Sequence, residues 1–261
     1  MTEKAIFITG GASGIGLAVG RYFAAQGWRV GLADINAAGL AAAKASLPGG
    51  KASTHVMDVR DRAQWVEALT EFTSSSGGQL DVLFNNAGIA VGGPFAETPI
   101  ADLDRLIAIN FDGVVYGAHA GYPFLKKTPG SCLLNTASAA GIYGVPGGAV
   151  YAATKFAVRG LTESLDGEWL KDGIKVRSLM PSFIETPLLN TQSHGSNQNV
   201  RERVTEQGLE ITPVEEVAKA AWEAVHGDGL HIVVGATAKR LRFAARWMPK
   251  RLRAMTAKRS L

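Results

Sequence analysis

The chain has few of the features that mark secreted, membrane-spanning or metal-built proteins. Its 261 residues include a single cysteine, Cys132, which excludes an internal disulfide framework. No uninterrupted apolar run approaches the ~20 residues of a bilayer-spanning helix. Met1 leads directly into Lys4-Ala5-Ile6-Phe7-Ile8, without the apolar core or cleavage site of a signal peptide; a cytoplasmic location is expected. The five histidines (His55, His119, His194, His226 and His231) are scattered. With Cys132 and the carboxylates they form no cluster at ligand spacing, so no metal is expected. Acidic residues are missing from one end. Residues 239–261 hold nine basic side chains and no acidic one. Removing those nine from the total of 27 leaves 18 basic against 23 acidic, so residues 1–238 carry −5 within a formal net charge of +4. An acidic body with no recognisable motif argues against nucleic-acid binding, and a basic tail implies a partner of its own.

The chain is 46% hydrophobic and carries 31 glycines, enough for one large, well-buried α/β domain. Short β-rich runs alternate with helical patterns. Strands are predicted at 5–9, 29–33, 54–57, 80–85, 131–136, 175–180 and 231–234. Helices are predicted at 14–26, 37–47, 62–74, 100–125, 151–171 and 213–226. This alternation implies right-handed crossovers and a doubly wound parallel sheet with helices on both faces. Almost no strand alternates polar with apolar, as expected when both faces are buried. Residues 186–210 are polar and irregular, and are read as a lid or binding loop.

Five groups of residues carry chemistry. Thr9-Gly10-Gly11-Ala12-Ser13-Gly14-Ile15-Gly16 lies between a strand and a helix. Without side chains, Gly10, Gly14 and Gly16 let the backbone turn tightly and approach a pyrophosphate at the helix N-terminus. Asp34 ends the second strand, eighteen residues past Gly16. There a carboxylate accepts from a ribose diol and repels a 2′-phosphate, and Ile35 and Asn36 supply no cation, which favours NAD(H) over NADP(H). Asp58-Val59 follows the third strand, where Asp58 either meets an adenine amino group or caps the next helix. Asn85-Asn86-Ala87-Gly88 ends the fourth strand with small residues and with amides able to tie strands together. Finally, Ser138 lies thirteen residues before Tyr151, and Lys155 lies four after it. A Tyr and a Lys four apart share a helix face, where the ammonium can lower the phenol pKa and poise it as a general acid/base.

In order and spacing, these elements resemble the short-chain dehydrogenase/reductase family over about residues 4–235, with Asn110 and Pro181 to Thr186 also matching. The resemblance implies a single-domain Rossmann fold with a seven-stranded parallel sheet. It implies a homotetramer or homodimer built on the helices at 100–125 and 151–171. By position, Tyr151 resembles the general acid/base and Lys155 the residue that lowers its pKa and holds the nicotinamide ribose. Ser138 resembles the hydroxyl that polarises the substrate carbonyl, and Asn110 the residue holding the lysine and a water in a proton relay. The cofactor contacts implied are Gly10, Ser13, Gly14, Ile15, Gly16, Asp34, Asp58, Val59, Asn86, Ala87, Gly88, Tyr151, Lys155, Pro181, Ile184 and Thr186. Two departures stand out: Ser182 where the family most often has Gly, and a chain that runs on past the seventh strand into the basic tail.

The expected activity is hydride transfer between NAD(H) and an uncharged, lipophilic secondary alcohol or ketone, because Val91, Ala140, Tyr143, Phe183 and Leu188 near the strand ends are apolar. Reduction of a 3-oxoacyl thioester and a non-catalytic NAD(H)-sensing module are the alternatives. The domain boundary is placed at 238, with 239–261 as a basic amphipathic extension broken at Pro249. That extension either contacts a membrane surface peripherally or packs on a neighbouring subunit or over the active site.

Overall fold

Strand β1 (Ala5–Thr9) is buried at every position, and its side chains alternate between two cores. Ile6 and Ile8 point to one face of the sheet, where they meet Val19, Phe23, Leu40, Val217 and Ala221. Phe7 points to the other, toward Trp65, Leu69, Phe72, Ala118 and Leu125. The same division runs along the neighbouring strands, with Phe84 and Leu134 on the first face and Leu83 and Leu133 on the second. A sheet apolar on both sides must be covered on both sides, and the helices provide that cover.

The computed structural model describes residues 3–257. After β1 come α1 (Gly14–Ala25), β2 (Arg29–Asp34), α2 (Ala37–Ala45), β3 (Ala52–Val56), α3 (Arg62–Ser75) and β4 (Val82–Asn85). Then follow α4 (Ile100–Ile107), α5 (Gly113–Lys126), β5 (Cys132–Thr136), α6 (Ala149–Trp169) and β6 (Lys175–Pro181). The seven-stranded sheet has the order β3-β2-β1-β4-β5-β6-β9, where β9 is His231–Val234, and every pairing is parallel. The chain winds outward from β1 to β3, then returns to place β4 on the other side of β1. The reversal opens a crevice at the C-terminal ends of β1 and β4, where ligands bind in such sheets.

Three features depart from the expected element pattern. The helix expected over 100–125 is interrupted by a π turn, Ala108–Asp112. One extra residue widens that turn and places Asn110, fully buried, against the loop after β4; π turns recur at functional sites. Residues 186–210 are more ordered than their composition implies. Their ends are tied by a two-stranded parallel sheet, β7 (Phe183–Ile184) with β8 (Ile211–Thr212). Between them lies α7 (Val200–Glu206), started by a reciprocal capping box of Asn199 and Glu202. After α8 (Val214–His226) and β9, the tail forms two helices, α9 (Ala236–Trp247) and α10 (Pro249–Ala257). Pro249 opens the second helix, where a missing N–H costs nothing. Of the nine tail cations, Lys258 and Arg259 lie outside the described residues.

A buried amide chain holds the middle of the sheet to the helices that carry the site. Asn85 Nδ2 donates to Asn135 Oδ1 at 3.1 Å and to Val114 O at 3.3 Å. Asn135 Nδ2 donates to Thr162 Oγ1 at 3.1 Å, and that hydroxyl donates to Val158 O at 2.8 Å. The chain thereby links β4, β5, α5 and α6. Asn135→Leu removes its centre and leaves one N–H of the Asn85 amide unpaired away from water, the other still bonded to Val114 O. The expected loss is about 1–3 kcal/mol, read from urea unfolding; an unchanged midpoint would show that the network contributes nothing.

Candidate active site

The site assembles where β1, β2, β4, β5 and β6 end. At the first of these ends, Gly10 (φ +66°) and Gly14 (φ +52°) adopt the left-handed conformation that favours glycine. A Cβ on Gly16 would lie 2.2 Å from Gly10 O, so only glycine fits the close packing of the turn against α1. Ser13 precedes α1 in an extended conformation and its side chain makes no cap hydrogen bond, and the first turn holds no acidic residue. The N–H groups and positive end of α1 are therefore available to an anion. Ile15, half-buried, packs against the first-face core.

Asp34 closes the other side of this turn. One carboxylate oxygen accepts from Ala12 N at 3.2 Å and the other from Asn36 N at 3.0 Å. Each oxygen keeps further acceptor capacity. Asp58 has a different role from Asp34. Its carboxylate is gripped by Arg60 at 2.5–3.0 Å, and the Arg60 hydrogen bond holds it below the usual carboxylate range. The cap of α3 is instead Asp61, which accepts from Ala63 N and Gln64 N. Val59 is buried, and its carbonyl accepts from Trp65 Nε1 at 2.9 Å.

The end of β4 is fastened on both sides. Thr9 Oγ1 accepts from Asn86 N at 3.0 Å and Ala87 N at 3.1 Å. The Asn86 amide donates to Thr9 O at 3.0 Å and accepts from Thr136 Oγ1 at 3.1 Å. Gly88 follows, exposed, and then Ile89. The side chain of Asn110 clamps the Ile89 backbone, accepting from its N–H and donating to its carbonyl, both at 2.9 Å. Its amide thus reaches the β4 loop and makes no hydrogen bond to Lys155. On the far side, Pro181 and Ile184 are buried, and Thr186 Oγ1 donates to Ile184 O at 3.2 Å. A Cβ on Gly14 would sit 3.3 Å from Thr186 Cγ2, which puts Thr186 directly over the glycine turn.

Ser138, Tyr151 and Lys155 come together at the end of β5. Ser138 Oγ accepts from Ala140 N at 3.1 Å and lies 3.5 Å from Pro181 O, to which it donates. Burial raises the Tyr151 phenol above its ordinary value, and the Ser138 hydroxyl pulls it partly back by favouring the phenolate. Lys155 is 4% exposed, and burial brings its pKa down to about 8. Its Nζ lies 5.7 Å from the centre of the Tyr151 ring, on the shared helix face read from the sequence. The phenol is not lowered in the chain alone, however, because desolvation outweighs the Ser138 hydrogen bond. Among the described residues, Thr136 O at 2.8 Å is the one hydrogen-bond acceptor of Lys155, although an ammonium has three N–H groups to place.

The apolar candidates lie on the segments that follow the ends of β4, β5 and β6. Val91 lies after β4, Ala140 and Tyr143 follow Ser138, Phe183 forms β7, and Leu188 stands exposed just beyond Thr186. Backbone bonds tie these segments together: Gly93 N to Gly147 O at 2.9 Å and His194 N to Gly92 O at 2.8 Å. His194 also pairs with Asp102 of α4 at 3.1 Å, and Arg203 of α7 bonds the buried Ser193. These pins, and the Thr136 carbonyl under Lys155, were missing from the sequence reading. They are backbone groups or half-buried to buried polar side chains, which no spacing rule singles out.

The sequence profile of the family described as short chain dehydrogenase matches residues 4–197. The chain is 36% identical over 245 residues to meso-2,3-butanediol dehydrogenase of Serratia marcescens, covering 90% of this chain and 95% of that protein. Its fold superposes on the crystal structure of levodione reductase with a TM-score of 0.84 at 29% identity, covering 92% of this chain and 99% of the other. The same score, at 25% identity and 97% and 95% coverage, relates it to a short-chain dehydrogenase/reductase from Burkholderia phymatum in complex with NAD. With its seven-stranded parallel sheet and its Ser138, Tyr151 and Lys155 at the end of β5, the chain belongs to the short-chain dehydrogenase family.

Proposed function

We propose that the chain transfers a hydride between NAD(H) and an uncharged secondary alcohol or ketone, with Tyr151 as the general acid/base. The observation that carries this reading is the buried Lys155 ammonium, supplied among the described residues with a single protein acceptor, and set beside Tyr151. A ribose diol supplies the acceptors that such a cation lacks. The glycine turn, the free first turn of α1 and the Asp34 carboxylate fit a dinucleotide whose 2′-hydroxyl is unmodified. The relatives' names are consistent with the substrate class: one is a butanediol dehydrogenase and another a levodione reductase.

When bound, the nicotinamide supplies or accepts the hydride. Everything else falls to the chain. In reduction, the carbonyl oxygen gains negative charge and needs a proton. Tyr151, kept protonated by burial, donates it from its phenol. Ser138 donates a hydrogen bond to the same oxygen and fixes its position. Lys155 stabilises the phenolate left behind; with a pKa of about 8 it remains largely charged near neutrality, and the dry surroundings strengthen its field. In oxidation the same groups run in reverse, with Tyr151 taking the carbinol proton. Asn110 acts indirectly, by holding the β4 loop through Ile89. The exposed Ile100 and Ile107 of α4 and Phe156 of α6 support assembly of a dimer or tetramer through those helices.

Tyr151→Phe separates an enzyme from a binding module. It should keep the affinity for NADH and lose turnover by roughly 10²–10⁴-fold, followed as NADH consumption with a panel of uncharged ketones; undiminished turnover would remove Tyr151 from the chemistry. Asp34→Ala should narrow the NAD-over-NADP ratio of kcat/KM by at least about tenfold, or about 1.4 kcal/mol, and an unchanged ratio would refute its ribose role. Lys155 also leaves a signature in stability. Its folded pKa of about 8 lies below the unfolded value of about 10.4. Between the two, the unfolded chain binds more protons, so this residue makes stability rise with pH over that window. Below it, the cost of burying the charge is fully present. Lys155→Met should abolish that rise, measured by urea unfolding of the cofactor-free protein from about pH 7 to about pH 11; parallel curves for the two proteins would contradict the depressed lysine.

A further inference from the structure

Helix α9 already uses its apolar stripe. Ala238 is fully buried and Leu241 half-buried, in a cluster with Ala137, Ala139, Met180 and Val233. An ordinary surface helix would then present only polar groups to solvent. The opposite face of α9 instead displays Phe243, 60% exposed, and Trp247, 65% exposed, one turn apart. Lys239, Arg240, Arg242 and Arg246 flank them, all exposed, and the Arg246 guanidinium lies 5.2 Å from the Trp247 ring centre. Helix α10 repeats the arrangement, with Leu252 buried and Lys250, Arg251, Arg253 and Met255 outside. The two helices carry seven cations and no carboxylate. Among the described residues, no acidic group lies within ion-pair distance of any of the seven.

We propose that this outward face of α9 and α10 is a peripheral docking site for a bilayer containing anionic phospholipids. Charge complementarity selects the anion. A second copy meeting this face about a two-fold axis would set cations against cations. The aromatics select a lipid surface over other polyanions. Phe243 and Trp247 share one side of a helix, at the level of the arginine heads, the pattern that seats rings at the headgroup–acyl boundary while guanidinium groups hold phosphates. Seven cations within a Debye length of such a surface add to one another.

The test is co-sedimentation of the full-length protein with vesicles of phosphatidylcholine alone and of phosphatidylcholine mixed with phosphatidylserine, at low and high salt. Binding is expected to the mixed vesicles only, with release by salt. The double variants Phe243→Ala/Trp247→Ala and Arg242→Glu/Arg246→Glu should each lose it by roughly tenfold or more, with circular dichroism and turnover of a water-soluble substrate unchanged. The proposal is overturned if the wild type stays in solution with both vesicle types, or if both variants sediment as it does. It is equally overturned if the variants alter the mass in sedimentation velocity while no vesicle binds, which assigns the face to a second copy. A nucleic-acid oligonucleotide that binds while the mixed vesicles do not would overturn it in the same way.

Discussion

A buried ammonium sets the terms for the active-site half of this molecule. Lys155 is held out of water with one protein acceptor among the described residues, the Thr136 carbonyl, and an isolated charge in that position is costly. The fold tolerates it because its surroundings are over-determined. Thr136 ends β5, one residue beyond Asn135, whose amide is bonded to Asn85 and to Thr162 of α6. Thr136 also donates to Asn86, so the strand end cannot yield to let the ammonium escape. The distance between α6 and the sheet is thus fixed by neutral hydrogen bonds, and the lysine has to accept the height at which they place it. Its pKa falls in consequence.

That constraint explains the division of labour across the sheet. Below the strand ends, Ile6, Phe7, Phe84, Leu133 and Val176 fill two dry cores and make no polar demands. At the strand ends the chemistry changes within a residue or two: Thr9 after Ile8, Asn85 after Phe84, Asn135 after Leu134. Most of the polar groups there satisfy one another, although Asn85 Oδ1 is buried without a partner among the described residues. The open donors of Lys155, the spare acceptor capacity of Asp34 and the uncapped first turn of α1 are the remainders. A ligand that matches them gains the hydrogen bonds that the protein itself lacks.

How much of this could be read from the residues follows from which forces were local. The strands were legible because both-face burial forces continuous apolar runs, and Ser138, Tyr151 and Lys155 because a helical face and a strand end put them within reach. The π turn at Ala108–Asp112 was not, since an extra residue in a helix leaves the apolar spacing on either side intact. The raised Tyr151 phenol of the cofactor-free chain was not legible for a different reason: the desolvation that raises it is imposed by the three-dimensional packing. Asp58 was ambiguous between a ligand contact and a cap, and the structure gives the cap to Asp61 and the Asp58 carboxylate to Arg60. Exposed arginines two residues away are a common neighbour, with no spacing signature of their own.

The tail connects the two halves of the charge distribution. Residues 1–238 carry −5 and the segment after them is wholly basic, yet α9 is not an appendage, because Ala238 and Leu241 complete the same small core as Ala139. The turn Ala139–Gly141 that follows Ser138 therefore rests on the inner side of the helix whose outer side carries Phe243 and Trp247. A surface that binds the outer face would orient the whole molecule, holding the acidic body away from an anionic plane and fixing the side from which the crevice is approached. Binding there need not deform the site, since the inner contacts are apolar and already made; its effect would fall on encounter with substrate rather than on the proton transfer at Tyr151.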